Sequence, residues 1–329
     1  MATVLAVDGI LWGTHYRGLA PIIHLWTAVS GIGEWHLPVM LPIGTAAPTS
    51  EMNLFQAMVL GIIQGLTEFL PISSTAHLKV VPVALGWGDP GVAFTAVIQL
   101  GSIAAVLWYF WQDLTKITRG ALKAIARSDY GAKDFQLALG ISLGTLPIIF
   151  FGLLIKILIP DFDNSPLRSL VAIALASIVM SLLLGLAEQL GARKRSFKGL
   201  GAWDGIFMGL AQSLALIPGV SRSGSTLTAG LFMGLERAAA ARFSFLLGIP
   251  AITLAGLVEL KSALDEGLGG SGLAAVVVGV ITAAIFSYIA IAWLLRYLQT
   301  HNTWVFVWYR LIFGVVILGA IATGFLKNI

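Results

Sequence analysis

Six apolar runs of membrane-spanning length constrain this chain more than any other feature of its sequence. They lie near residues 93–111, 135–159, 167–188, 243–262, 272–295 and 304–326. About 20 consecutive apolar residues are needed for a helix to cross the hydrocarbon core of a bilayer. Such segments are helical because lipid leaves every backbone polar group to be satisfied within the segment itself. The sequence therefore predicts an all-α polytopic membrane protein.

The composition supports the same class and excludes others. The chain has 329 residues, of which 57% are hydrophobic and 11% charged, whereas soluble domains carry about 25% charge. There is no cysteine, which excludes disulfides and thiol catalysis. The formal net charge of +4 is explained by cationic cytoplasmic loops, so we predict membrane lipids as surroundings and no nucleic-acid partner.

Two further segments, near 53–88 and 203–234, carry polar residues inside apolar arms. We call them the first and second hairpin, because proline or glycine interrupts each of them midway. A broken helix at membrane depth is tolerated only where it is buried in protein or lines a water-filled cavity. Each hairpin is therefore predicted to be re-entrant, entering and leaving the membrane by the same face.

The cationic loops orient the chain. They contain the following residues: Lys116, Arg119, Lys123, Arg127, Lys133, Arg193, Lys194, Arg195, Lys198, Arg237, Arg242 and Arg296. The alternate loops contain Asp161, Asp163, Asp265 and Glu266 instead. By the positive-inside rule the cationic loops are cytoplasmic. The second hairpin then enters from the cytoplasm and the first from outside.

The two hairpins also resemble each other, since Gln64 and Pro71 of the first match Gln212 and Pro218 of the second. We predict an inverted repeat, in which each half is a re-entrant helix hairpin plus three transmembrane helices. Repeat A covers about 53–190 and repeat B about 200–327. Inverted repeats with broken helices commonly enclose a central binding site. The alternative is a chance resemblance of two broken apolar segments.

Residues 1–51 contain neither a long apolar run nor a basic region followed by an apolar one, so no signal peptide is predicted. We interpret them as an N-terminal extension or leader, with Met52 as the working start of a membrane domain over 52–329. An interfacial extension is the alternative.

The first hairpin brings an acid, hydroxyls and a histidine close together. Glu68 lies four residues after Gln64, on the same helix face, and Ser74 lies three residues before His77. Ser74 is the candidate nucleophile, with His77 or Glu68 as its base. Glu68 is also a candidate metal ligand or partner of Arg222, and a structural ion pair is the plainer interpretation. Ser73 and Thr75 are interpreted as caps or as ligands of phosphate oxygens.

The second hairpin carries Arg222 between serines and glycines. Its guanidinium matches phosphate oxygens, and the flanking glycines let backbone amides approach a ligand. The candidate phosphate ligands here are Arg222, Ser221, Ser223, Gly219, Gly224 and Thr226. Arg222 reaching up to lipid headgroups is the alternative. Snorkelling or interhelical pairing is the preferred interpretation for Lys79, Lys156, Glu188, Glu259, Lys261 and Arg310.

Two motifs resemble those of a known family. The stretches QGLTEFLPISSTAH over 64–77 and PGVSRSGST over 218–226 are similar to the signatures of the bacterial undecaprenyl-diphosphate phosphatases, the bacitracin-resistance family. The stretch RFSFLLGIP over 242–250 is also similar, and MNLFQ over 52–56 resembles the usual N-terminus of the family. The resemblance covers about 52–329.

The resemblance implies an inner-membrane hydrolase that removes the terminal phosphate of the C55 lipid diphosphate. It implies six spans, two re-entrant hairpins and a site that opens toward the periplasmic side. By motif position Glu68 is the second acid of a paired-acid motif, Ser74 the proposed nucleophile, His77 the histidine and Arg222 the phosphate-binding arginine.

One departure from the family pattern concerns Gln64, which stands where the family has its first acid and joins the candidate substrate ligands. An amide cannot act as a base and binds metal weakly, so Mg²⁺ or Ca²⁺ dependence stays open and no tightly bound cofactor is predicted. A transporter or flippase of the lipid carrier is the rival function. A homodimer is also left open.

Overall fold

The computed structural model describes residues 52–328, apart from 160, 163–164 and 267–271. The predictions for residues 1–51 lie outside the described residues. Within those ranges the chain is helical and contains no strand. The helices are α1 (Leu54–Phe69), α2 (Ser74–Ala84), α3 (Val92–Tyr109), α4 (Trp111–Ala126), α5 (Lys133–Leu158), α6 (Leu170–Leu190), α7 (Ala202–Ser213), α8 (Arg222–Phe232), α9 (Arg237–Glu266), α10 (Leu273–Thr300) and α11 (Trp304–Ala322).

Five of these helices, α5, α6, α9, α10 and α11, are long and apolar enough to cross a membrane. A sixth span results if α3 and α4, which meet at a bend of 65°, are counted together. These helices coincide with the six apolar runs of the sequence. The prediction of an all-α polytopic membrane protein is confirmed.

Helix α4 occupies a stretch that the sequence predicts to be a cationic connection. Its buried face consists of Ile117, Ala121 and Ala124, which recur with helical spacing, while Lys116 and Lys123 are exposed. Arg242 of α9 donates to Asp113 over 2.6 Å and ties α4 to the bundle. The cationic loop is therefore a helix because one stripe of it packs on the protein.

Helix α9 is the centre of the bundle. In its most apolar window 56% of the residues are buried inside the protein, against 17% for α5. Phe243, Leu246 and Leu247 are completely buried. Helix α9 packs against α3, α8 and α5, and therefore contacts both a hairpin arm and spanning helices.

The first arm of each hairpin packs against a span from the other half of the chain: α1 lies on α10, and α7 lies on α5. Both contacts depend on glycine. A Cβ on Gly205 would overlap the carbonyl oxygen of Gly140, and one on Gly65 would lie 2.7 Å from the carbonyl oxygen of Ala283. Small residues allow this approach of helix backbones in lipid. Both halves therefore make the same kind of exchanged contact, and the inverted repeat stays a prediction.

A buried carboxylate holds the cationic loops against the helix ends. Glu188 of α6 accepts from Nη1 of Arg193 and Nε of Arg237 over 3.0 Å each, and from the hydroxyl of Thr303 over 2.8 Å. Breaking such a buried pair leaves an uncompensated charge, which is strongly destabilising. Interhelical pairing, rather than snorkelling, is thus confirmed for Glu188.

Candidate active site

The first hairpin breaks between α1 and α2. Leu70, just before Pro71, is extended, with φ −68° and ψ 144°, which ends α1. Ser73 then takes φ 75° and ψ 99°, a conformation that residues with a side chain rarely adopt. Non-glycine residues at positive φ cost about 1–3 kcal/mol and cluster at functional sites. This turn delivers Ser74 as the first residue of α2.

The second hairpin breaks in the same way. Its first arm, α7, continues into a 3₁₀ turn over Leu214–Leu216, and Gly219 and Ser221 both take positive φ, 91° and 70°. Ser221 has ψ 118°, close to the conformation of Ser73. Arg222 is the first residue of α8. Ser74 and Arg222 therefore occupy equivalent positions in the two hairpins.

The carboxylate of Glu68 joins the two hairpins. Oε2 accepts from the hydroxyl of Ser74 over 2.6 Å, and Oε1 accepts from Nη2 of Arg222 over 2.9 Å. The side chains of Arg222 and Glu68 are only 13% and 9% exposed, so water screens this ion pair weakly. The acid, the hydroxyl and the guanidinium that the sequence singles out are thus brought together.

A cavity of about 200 Å³ lies against this junction. Its polar lining comes from the two hairpins and from Gln99 of α3, and its apolar lining comes mainly from α5, α9 and the 3₁₀ turn. The lining residues are Glu68, Ser73, Ser74, Thr75, Gln99, Ile148, Ala215, Leu216, Ile217, Pro218, Gly219, Ser221, Arg222, Ala251, Ile252 and Ala255. A polar end beside an apolar wall suits a ligand with an anionic head and a hydrocarbon tail.

His77 contacts groups other than Ser74. Its Nδ1 lies 2.7 Å from the carbonyl oxygen of Ser73, and its Nε2 lies 2.7 Å from the hydroxyl of Tyr309. A carbonyl only accepts, so Nδ1 carries a proton, and Nε2 lies in hydrogen-bond contact with the Tyr309 hydroxyl. The ring also stacks on Phe313 at 4.3 Å. The expected Ser74–His77 pair is absent here because the ring supports the turn at Ser73, and a catalytic role for His77 stays a prediction.

The other candidate ligands separate into two groups. Ser73, Thr75, Gly219 and Ser221 line the cavity, and the Ser221 hydroxyl caps α8 by accepting from Gly224 N over 3.2 Å. Ser73, predicted as a cap, makes no side-chain cap bond. The remaining candidates, Ser223, Gly224, Thr226 and Gln64, lie outside this lining, and their contact with phosphate stays a prediction.

The candidate ligands that do not line the cavity make hydrogen bonds to the hairpin residues around it. Gln64 donates from Nε2 to Glu68 over 3.2 Å and to Ser102 over 3.4 Å. The hydroxyl of Ser223 donates to the carbonyl of Leu70 over 3.0 Å, which links the second hairpin to the first. The hydroxyl of Thr226 donates to the carbonyl of Arg222 over 2.8 Å.

Arg310 has a place in the structure that the sequence did not predict. It is 1% exposed, and its guanidinium donates to the carbonyls of Pro71 over 3.1 Å, Gly219 over 2.7 Å and Val220 over 2.9 Å. One arginine of α11 thus holds both hairpin breaks. Its sequence signal is a cation six residues inside an apolar helix, too far from the end to favour snorkelling to the headgroups.

Comparison with known proteins identifies the family. The model of the bacitracin resistance protein BacA matches residues 57–316, which include the breaks of both hairpins. The chain belongs to the BacA family. BacA relatives named undecaprenyl-diphosphatase include one from Trichormus variabilis, 69% identical over 294 residues, 88% of this chain and 92% of the relative. Another, from Synechocystis sp., is 64% identical over 299 residues, with 88% and 92% covered.

More distant BacA relatives carry the same name. The undecaprenyl-diphosphatase of Gloeobacter violaceus is 55% identical over 279 residues, which is 85% of this chain and 96% of that protein. The similarity thus extends over most of the chain rather than over isolated motifs. The resemblance noted in the sequence is confirmed at the level of the family.

Among the described residues of this BacA member, the donor set around Glu68 does not by itself fit a resident divalent-metal site. Among the described residues no three His, Cys, Asp or Glu side chains cluster as a metal site would need. Both oxygens of Glu68 are already bonded, one of them to a guanidinium cation. Mg²⁺ and Ca²⁺ are held by several oxygen ligands. Metal binding by Glu68 stays a prediction, and no step below depends on it.

Proposed function

We infer that this chain is an undecaprenyl-diphosphate phosphatase. It hydrolyses the lipid diphosphate to undecaprenyl phosphate and inorganic phosphate, which recycles the carrier for peptidoglycan synthesis and confers bacitracin resistance. The observation that carries this inference is the Glu68 carboxylate, which holds the Ser74 hydroxyl and the Arg222 guanidinium. A hydroxyl beside a base, facing a cation, is the arrangement that phosphoryl transfer requires.

Substrate binding follows from the two ends of the cavity. The diphosphate occupies the polar end, where Arg222 exchanges its bond to Glu68 for bonds to the terminal phosphate. Ser221 and the backbone near Gly219 supply further polar contacts. The first isoprene units lie along Ile148, Leu216 and Ile252, and the rest of the tail lies in lipid.

In the first chemical step the Ser74 oxygen attacks the terminal phosphorus. Glu68 takes the hydroxyl proton, the bond from phosphorus to the bridging oxygen breaks, and undecaprenyl phosphate leaves with that oxygen. Arg222 stabilises the charge on the equatorial oxygens in the transition state. Glu68, not His77, is the base in this step because its oxygen is the one 2.6 Å from the hydroxyl.

In the second step water attacks the phosphoserine, after Glu68 has passed its first proton to the departing undecaprenyl phosphate. Glu68 takes a proton from this water and returns it to the Ser74 oxygen as the bond from phosphorus to Ser74 breaks. Inorganic phosphate is released and the serine hydroxyl is restored. Direct attack by a water that Glu68 activates is the close variant. Ser74→Ala with near-normal turnover would rule out the covalent route and leave the variant.

The functional test is phosphate release by purified protein in detergent. The proposal predicts stoichiometric inorganic phosphate from undecaprenyl diphosphate, with no gradient present. The rival transporter is favoured by one observation, the exchanged packing of α1 on α10 and α7 on α5, which suits two halves that rock about a central site. Protein that binds the lipid diphosphate but releases no phosphate would favour the transporter.

The protein resides in the inner membrane, with the cavity accessible from the periplasmic side. This proposal is supported by the cationic loops, which the positive-inside rule assigns to the cytoplasm. The chain has no cysteine, so single cysteines can be labelled cleanly. An impermeant maleimide should label Asp89→Cys in spheroplasts and Ser196→Cys only after lysis. The opposite pattern would reverse the topology.

A further inference from the structure

One polar side chain of the cavity belongs to neither hairpin. Gln99 lies on the spanning helix α3 and lines the cavity, half-buried. The other polar side chains of the lining, Glu68, Ser221, Arg222 and the three residues 73–75, all come from the hairpin breaks. Within the described part of the chain, no hydrogen bond to the Gln99 amide is found. A half-buried amide facing a cavity without a protein partner is available to a ligand.

Two glycines of helix α9 mark the level of Arg222 and the level of the turn of α3 that carries Gln99. A Cβ on Gly248 would lie 3.0 Å from Cζ of Arg222, so Gly248 marks the level of the guanidinium. A Cβ on Gly256 would lie 3.6 Å from Cδ2 of Leu100, the neighbour of Gln99. Ala255, the neighbour of Gly256, lines the cavity together with Gln99.

The separation of these two levels suits a diphosphate. Gly248 and Ala255 are seven residues apart, which is about 10 Å along a helix. Each hydrogen bond to a phosphate oxygen spans about 2.9 Å. A hydrogen bond at each end takes up part of this distance of about 10 Å. Two phosphoryl groups joined by a bridging oxygen fill the rest of it. The guanidinium then contacts the terminal phosphate, and the Gln99 amide is within reach of the second.

We propose that the amide N–H of Gln99 donates to the phosphate that remains on the lipid, and so distinguishes a diphosphate from a monophosphate. The assignment rests on the phosphatase activity proposed above. Gln99 does not take part in bond breaking. It contacts the substrate equally before and during the reaction, so its loss raises KM and leaves kcat nearly unchanged.

The experiment compares the parent protein with Gln99→Leu and Gln99→Glu in detergent. Hydrogen bonds to charged groups are worth about 1.5–3 kcal/mol, so Gln99→Leu should raise KM for undecaprenyl diphosphate about 10-fold or more. Gln99→Glu should raise KM further, because a carboxylate repels phosphate. The inhibition constant of orthovanadate, which probes only the terminal-phosphate position, should change less than about twofold.

Gln112→Leu is the matched control, since the same side chain is replaced at an exposed position of α4. Thermal melting of all variants checks folding. An unchanged KM in Gln99→Leu, or a parallel rise in the vanadate inhibition constant, would overturn the assignment. Parent protein that releases no phosphate would refute the proposed function instead, so the two failures are distinguishable.

Discussion

Ser74 and Arg222, 148 positions apart in the chain, contact the two oxygens of one carboxylate. Each is the first residue of the second helix of its hairpin, after a serine at positive φ. Two similar breaks thus present different side chains to the same cavity, one the proposed nucleophile and the other a cation. Glu68 contacts both, which is the arrangement that the proposed phosphoryl transfer uses.

Arg222→Ala should lower kcat at least about 100-fold, because it removes a donor that acts on transition-state charge. Arg222→Lys should recover only part of this loss, since an ammonium keeps the charge but lacks the planar fork. Initial rates of phosphate release measure both variants. An Arg222→Ala protein with more than a tenth of parental kcat would contradict the role assigned to the guanidinium.

Glu68→Gln should lower kcat by about 10²–10⁴-fold, the range expected for loss of a general base. Tyr309→Phe, which removes only the hydroxyl that contacts His77, should cost less than about 10-fold, because His77 acts through the Ser73 turn. The two variants are compared at saturating substrate. If Tyr309→Phe proves as damaging as Glu68→Gln, the histidine rather than the glutamate is the base.

Gly248→Ala should lower activity about 10- to 100-fold without unfolding the protein. The added methyl group would lie 3.0 Å from Cζ of Arg222 and would displace the guanidinium from the cavity. Gly319→Ala is the control, because a Cβ at that position of α11 meets no atom within 4 Å. Equal activity of the two alanine variants, measured on samples with equal melting temperatures, would count against this packing constraint.

Gln64→Glu should make the enzyme respond more strongly to divalent cations. The substitution places a second carboxylate four residues from Glu68 on the same face of α1, where the amide of Gln64 now donates to Glu68. Two carboxylates together with substrate phosphates suit Mg²⁺. Activity is titrated with MgCl₂ and CaCl₂ after EDTA treatment, with the parent as reference. Identical titration curves would refute the expectation.

The sequence predicted the spans, both hairpins and the central residues, because apolar length, prolines and local spacing determine these features. It did not predict that Ser74 contacts Glu68 rather than His77, since that choice depends on the left-handed turn at Ser73. Arg310 was missed because its partners are backbone carbonyls 239, 91 and 90 positions away. Such contacts leave no local pattern in a sequence.

Helix α4 shows a different limit. Most of its conspicuous residues are cations, which favour a loop. Its apolar stripe indicates a helix only when the surface of the bundle that buries Ile117 and Ala121 is known. The part played by Gly248 was likewise hidden, because it depends on a close approach between α9 and the side chain of Arg222. Tertiary contacts, not local propensity, decide both features.

The most direct test is an experimental structure of the protein with orthovanadate bound. The account predicts vanadium bonded to the Ser74 oxygen, with Arg222 donating to the vanadate oxygens and Glu68 beside the serine. Vanadate bound elsewhere, or an Arg222 guanidinium turned away from it, would contradict the central claim that the two hairpins together form one phosphate site.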